Sequence, residues 1–225
     1  MKIACLIPVY NEEGNLLRLL SALDSLIKKD DIIVVDDGSE DRSPAIIRRC
    51  GLRTVRNQKN VGKGMCLRIG FSLASQSGYD AVLTIDADCQ HDPRSIPQMT
   101  EVISRNDADI VVGTRALSPR KMPLQRIASN KLTSLIVSLL TKRRVHDTQS
   151  GFRIITIQVL RDITLKTKRF ETESELLIKA LRKGYRVREI PVETVYGEER
   201  SSIAGLPDTL RFILLTIRSL FWFGS

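Results

Sequence analysis

The segment Asp86-Ala87-Asp88-Cys89-Gln90-His91 places two carboxylates one residue apart, with a carboxamide two residues further on. In an extended chain, side chains at i and i+2 share one side, so Asp86, Asp88 and Gln90 can present three oxygens together. Such donors suit a hard divalent cation, Mg2+ or Mn2+. An ion there would bridge a diphosphate and neutralise the charge that builds on a leaving group. A solvated acidic turn is the plainer alternative. Asp36-Asp37-Gly38-Ser39 is a second polar cluster. It can cap a helix through Ser39 or Asp41, or it can set a carboxylate against a nucleobase N–H. Gly62-Lys63-Gly64 fits neither the GxxxxGK[ST] loop nor GxGxxG. It lets backbone pass close to a ligand, a phosphate included, or turns the chain into a helix. Of the two histidines, His91 and His146, neither has a second His or Cys at metal-ligand spacing. His91 could join the ion's shell, but a surface position is the expectation. No G-x-S-x-G segment supports a serine nucleophile.

Polar clusters do chemistry only if something brings them together. Apolar runs at 3–8, 31–35, 52–56, 81–85 and 109–113 read as strands. Leucines at helical spacing from Leu16 to Leu26 predict a first helix, and others are expected at 42–49, 62–77 and 94–104, the last started by Asp92-Pro93. Continuous apolar strands alternating with helices imply an α/β fold with a parallel sheet covered on both faces. Ligands on such sheets bind beyond the carboxyl ends of the strands. Pro8-Val9-Tyr10-Asn11-Glu12 follows the first strand, Asp36-Asp37-Gly38-Ser39 the second and Asp86-Ala87-Asp88 the fourth. The three clusters are therefore expected on one sheet edge. Further on, a helix over 124–140 carries Arg126, Ser129, Asn130 and Lys131. The loop Asp147-Thr148-Gln149-Ser150-Gly151-Phe152-Arg153 follows, then a helix over 173–182, a strand over 185–190 and a last helix over 208–223.

Of 225 residues, 35 are Lys or Arg and 26 Asp or Glu, for a net charge of +9. The excess is confined. Residues 1–114 hold 14 basic and 16 acidic side chains, residues 115–169 hold 13 and 2, and residues 170–225 hold 8 of each. A basic block of this kind points to an anionic partner: a phosphorylated ligand, an acidic lipid surface or nucleic acid. No helix-turn-helix, RNP or OB-type signature favours nucleic acid. The apolar fraction of 42% supports a substantial core and argues against disorder. Apolar runs such as 132–141 and 212–217 fall short of the roughly 20 residues that span a bilayer, and residues 1–20 lack a signal-peptide pattern. Cys5, Cys50, Cys66 and Cys89 form no CxxC pair, which reads as buried thiols in a reducing compartment.

Together these residues resemble the inverting glycosyltransferases of family 2, whose fold is called GT-A. The resemblance runs over IPVYNEEGNL at 7–16, VVDDGSEDRS at 34–43, NVGKG at 60–64, DADCQHDP at 86–93 and VVGTR at 111–115. DTQSGFR at 147–153, FETESELLIKALRKGYRVREIPV at 170–192 and YGEERSSI at 196–203 resemble a narrower branch, the dolichol-phosphate mannose synthase-like and polyprenyl-phosphate glycosyltransferases. The resemblance implies a three-layer GT-A sandwich with a mostly parallel sheet, a catalytic domain over 1–205 and a C-terminal amphipathic helix over 206–225. It implies that Pro8, Tyr10, Glu12 and Asp37 hold the base and ribose, and that Asp86, Ala87, Lys63 and Arg115 complete the nucleotide-sugar site. Asp86, Asp88 and Gln90 match the metal-binding positions, for Mg2+ or Mn2+. Asp88, Arg115, Arg126 and Arg200 then carry the catalytic role, with Arg126, Ser129 or Asn130, and Arg200 cradling the acceptor phosphate. One departure is Ser202, which stands where family members often have a lysine.

A polyprenyl phosphate attacks as an anion, since its second pKa near 6 leaves it mostly deprotonated at pH 7. It needs no general base. A sugar hydroxyl would need one within hydrogen-bond reach, and only Asp147 and Glu173 offer themselves. The expectation is transfer of a sugar from a GDP- or UDP-sugar to a polyprenyl or dolichyl phosphate, with a glycan or small-molecule hydroxyl as the alternative acceptor. The chain is then expected to be cytoplasmic and peripheral on an anionic membrane face. The heavily apolar 208–223 segment, with Trp222 and two arginines, would dock either on the core or at that interface.

Overall fold

A computed structural model describes residues 1–115, 124–194, 215, 216 and 219, with backbone alone at 124–126 and 128. Its centre is a sheet of seven strands: β1 (Ile3–Val9), β2 (Ile32–Asp36), β3 (Arg53–Arg56), β4 (Ala81–Thr84), β5 (Ile110–Arg115), β6 (Arg153–Thr156) and β7 (Val187–Val192). Their order across the sheet is β3-β2-β1-β4-β6-β5-β7, and β6 alone runs antiparallel to its two neighbours. The strands are β-branched and fully buried at the centre, as in β2, where all five residues are buried.

Alternation splits the core in two. Ala4 and Leu6 of β1 face one layer, formed by α3 (Lys63–Gln76), α5 (Leu124–Thr141), α6 (Ile157–Asp162) and α7 (Thr172–Arg182). Cys5, Ile7 and Val9 face the other, formed by α1 (Leu16–Leu23), α2 (Ser43–Cys50) and α4 (Ile96–Ser104). Leu16, Leu19 and Leu23 supply the buried stripe of α1, and Gly51 closes α2 in the left-handed conformation that favours glycine.

Two departures from the sequence reading have physical causes. Residues 153–156, of which Arg153 is read above as the end of a loop and the rest carry no assignment, form β6 and insert between β4 and β5. A four-residue run headed by an arginine carries too little alternation to announce a strand. The strand expected at 185–190 is β7 at Val187–Val192, and its parallel pairing with β5 extends that strand through Arg115, opposite Val192. Pro191 is tolerated because β7 lies at the sheet edge. The last helix lies outside the described residues except at 215, 216 and 219, where the backbone is helical. Among the described residues no helix is long and apolar enough to cross a membrane.

Candidate active site

Strand β1 lies between β2 and β4. The chain therefore leaves β1 on one side and later returns to its other side, which opens a crevice at the strands' carboxyl ends. Pro8 lies near the end of β1 with Tyr10 and Glu12 just after it, Asp36 ends β2 with Asp37 next, and Asp86 follows β4. The three clusters do share this edge. Ser39 Oγ accepts the Asn11 N–H at 3.0 Å and Ser43 Oγ accepts the Glu12 N–H at 2.9 Å, so the β1 and β2 loops are tied together. Asp37 is buried, and its oxygens accept Asn57 Nδ2 at 2.9 Å and the Val61 and Gly62 N–H groups at 2.9 and 2.8 Å. Its visible work is to hold the 57–62 loop. A cavity of about 630 Å3 opens beside that loop, lined by Tyr10, Ser39, Arg48, Arg56 and Lys59 among others. The larger cavity, about 770 Å3, lies at the opposite sheet edge around 78–80 and 157–162. There Arg161 is bonded to Ser75, and Asp162 to Lys183 and Tyr185.

Lys63, the first residue of α3, reaches Asp86 Oδ1 at 2.7 Å and Glu173 Oε1 at 2.6 Å. Burial opposes the charge on Asp86, but the Lys63 ammonium outweighs it and holds the carboxyl below its usual range. Burial likewise works against a charged Lys63, and Asp86 and Glu173 more than reverse it, so the ammonium is kept. Two glycines permit this approach. A Cβ on Gly64 would lie 1.9 Å from Thr172 Oγ1, and one on Gly151 would lie 2.3 Å from Asp86 Oδ2. Only bare backbone fits at either place.

Asp88 and Gln90 sit on one tight turn. Asp88 Oδ1 accepts the Gln90 N–H at 3.0 Å, and Cys89 between them takes a φ of 57°, unusual for a side chain other than Gly, Asn or Asp. Among the described residues no group of three or more His, Cys, Asp or Glu side chains could hold an ion alone. The donor chemistry of two carboxylates and a carboxamide within five residues nevertheless fits a hard cation, which Asp86, Asp88 and Gln90 would hold. His91 is not at the surface. It is buried against Phe152, with ring centroids 5.3 Å apart, and it bridges Thr194. Burial pushes its pKa down to about 4, so the ring is neutral at pH 7, and among the described residues its Nδ1 has no hydrogen-bond partner. The turn needs its apolar ring as packing, which a helix-and-strand pattern does not disclose.

Arg115 ends β5 and meets Asp147 in a two-pronged pair, Nε to Oδ2 at 2.8 Å and Nη2 to Oδ1 at 2.9 Å. Asn130 of α5 donates to the same Oδ1 at 2.9 Å. Burial alone would raise the Asp147 pKa; the Arg115 guanidinium and Asn130 bring it down to about 2. Asn130 therefore lies within this network, whereas Ser129 is exposed. Residue 126 is helical, its side chain lying outside the described residues together with all of Arg200. Sequence reasoning assigned no task to Arg153. It is 1% exposed and donates to the carbonyls of Ser150, Thr148 and Glu173, each at 2.7 Å, which fastens the 148–151 loop and the start of α7 to β6. A lone arginine within the apolar stretch Phe152-Arg153-Ile154-Ile155 was the available signal, since buried charges are paired.

A sheet with this switch point and this acidic turn has the architecture of the GT-A class of glycosyltransferases. Residues 4–164 match the family described as glycosyl transferase family 2. The chain belongs to that family. A UDP-N-acetylglucosamine–dolichyl-phosphate N-acetylglucosaminyltransferase of Methanococcus voltae is 32% identical over 86% of this chain and 85% of its own. A dolichol-phosphate mannosyltransferase of Pyrococcus furiosus is 32% identical over 85% of this chain and 56% of its own. Among solved structures, glucosyl-3-phosphoglycerate synthase of Mycobacterium tuberculosis, crystallised with UDP, superposes with a TM-score of 0.78. It is 18% identical and covers all of this chain and 82% of its own. The same enzyme has been crystallised with Mn2+.

Proposed function

We propose that this chain moves a sugar from a nucleoside diphosphate sugar to the phosphate of a polyprenyl lipid. The observation that carries the reading is the convergence, at one switch-point edge, of the Asp86–Gln90 turn with Lys63 and the Arg115–Asp147 pair. Tyr10, with its exposed ring, and the loop fixed by Asp37 line the cavity where base and ribose would sit. Asp86, Asp88 and Gln90 would hold Mg2+ or Mn2+, which when bound neutralises charge on the departing diphosphate. Lys63 and Arg115 would add fixed positive charge beside that diphosphate, and Arg126, Ser129, Asn130 and Arg200 would receive the acceptor phosphate. The chain's part is orientation and charge neutralisation. Relatives in Methanococcus and Pyrococcus carry names that specify dolichyl phosphate acceptors.

The surroundings of the two candidate bases support a phosphate acceptor. Asp147 is held near a pKa of about 2 by burial outweighed by Arg115, and Glu173 is engaged by Lys63. Both are committed to neighbouring cations, whereas a base for a hydroxyl acceptor must lie open to it within hydrogen-bond reach. A phosphate acceptor needs no such base. The test supplies the labelled donor with polyprenyl phosphate, with the unphosphorylated polyprenol, and with soluble sugars. Label should enter the lipid phase only with the phosphate. Equal transfer to polyprenol or to a soluble hydroxyl would refute the acceptor class.

A further inference from the structure

Helix α5 buries Ile127 and Val137 and packs Ile136 and Leu140 against the core, yet it leaves three leucines exposed. Its buried side carries Asn130, Thr133 and Ser134 beside Val137, all at most 5% exposed. The polar three are satisfied internally: Asn130 bonds Asp147, Thr133 bonds the Asn130 carbonyl, and Ser134 bonds Asn130 Oδ1. On the opposite side Leu132, Leu135 and Leu139 are 56%, 56% and 70% exposed. At 3.6 residues per turn these leucines fall within roughly 60° of one another, about half a circle from the buried side. An ordinary surface helix is polar on the side away from the core, where α5 carries this stripe.

The surroundings of this stripe say what covers it. Residues 131–144 hold four basic side chains, Lys131, Lys142, Arg143 and Arg144, and no acidic one. All four are exposed, and among the described residues no salt bridge engages them. Lys142 turns the chain out of the helix with a φ of 54°, which sets the three consecutive cations at its end. Leucines rimmed by lysine and arginine match an anionic bilayer: apolar groups enter the acyl boundary while the cations meet the headgroups.

The geometry points to the outer face of α5 as the surface by which this chain lies on an anionic membrane. The same helix supplies Ser129 and Asn130, so docking would bring the acceptor end of the site to headgroup depth. This placement deepens the acceptor reading proposed above, but binding to lipid can be measured without any sugar transfer. A failure of one is thus distinguishable from a failure of the other.

The full chain is sedimented with phosphatidylcholine vesicles, with and without phosphatidylglycerol. Binding to the anionic vesicles is expected, and it should weaken with salt. The triple variant Leu132→Ser, Leu135→Ser, Leu139→Ser should lower partitioning by at least ten-fold, on the order of what losing one buried apolar side chain would cost. The variant Lys142→Glu, Arg143→Glu, Arg144→Glu should lower it by roughly five-fold or more for each charge. Unchanged thermal unfolding would show that both variants fold. Wild-type binding by the leucine variant, or no preference for anionic vesicles, would overturn the assignment. So would a leucine-dependent dimer in sedimentation velocity without lipid, since a second copy would then be the occupant.

Discussion

Replacing Asp147 with Asn takes the charge of one carboxylate from beside the Arg115 guanidinium, which is 9% exposed. Removing one partner of a buried pair costs about 3–5 kcal/mol. The structure gives an independent scale. The Asp147 carboxyl is lowered from 3.8 to about 2, and at 1.36 kcal/mol per unit that amounts to roughly 2 kcal/mol of stabilisation at neutral pH. Asn retains one acceptor oxygen for Arg115, so a loss of about 3 kcal/mol is expected for Asp147→Asn. In a chain of this size that lowers the melting temperature by roughly 6–12 °C. The sign in pH is fixed. A carboxyl depressed by folding stabilises above its unfolded value, and that contribution fades as pH falls through the folded value. The gap between wild type and Asp147→Asn should therefore be full at pH 7 and narrow below about pH 4. Urea unfolding of wild type, Asp147→Asn, Arg115→Met and the double variant isolates the pair. A coupling below about 0.5 kcal/mol, or a gap that widens in acid, would refute the reasoning.

Lys63→Met should raise the Asp86 pKa by removing the largest charge that opposes its burial, so the stability lost with Lys63 should be full above the ordinary carboxyl range and shrink as pH falls through it. A melting profile with the wild-type pH dependence would show that Asp86 does not rely on Lys63. Gly151→Ala sets a Cβ 2.3 Å from Asp86 Oδ2. It should displace that carboxylate and lower transfer on the order of 10²-fold, as misplacements near 1 Å can do, while costing about 1–3 kcal/mol of stability. Wild-type turnover in a folded Gly151→Ala variant would remove Asp86 from the site.

How much of this was legible beforehand depends on range. Apolar runs bounded by turns announced the parallel strands, and their polar tails announced the edge, because both signals are local. The acidic turn was readable for the same reason. Strand β6 was not, since four residues beginning with Arg153 become a strand only between β4 and β5. The Lys63–Glu173 contact joins residues 110 positions apart, and nothing in either neighbourhood reports the other. Asp147 and Glu173 looked like potential bases until their cations were located. His91, beside two acids in the chain, looked exposed until Phe152 was found against it.

The central claim is that the Asp86–Gln90 turn, Lys63 and Arg115 form one nucleotide-sugar site. Calorimetric titration of UDP and GDP into wild type and Asp88→Ala, each with and without Mn2+, tests it most directly. One of the two nucleotides should bind wild type more tightly with Mn2+, and a correctly folded Asp88→Ala should lose that enhancement. Identical metal-enhanced binding by both proteins, or no binding of either nucleotide to wild type, would contradict it.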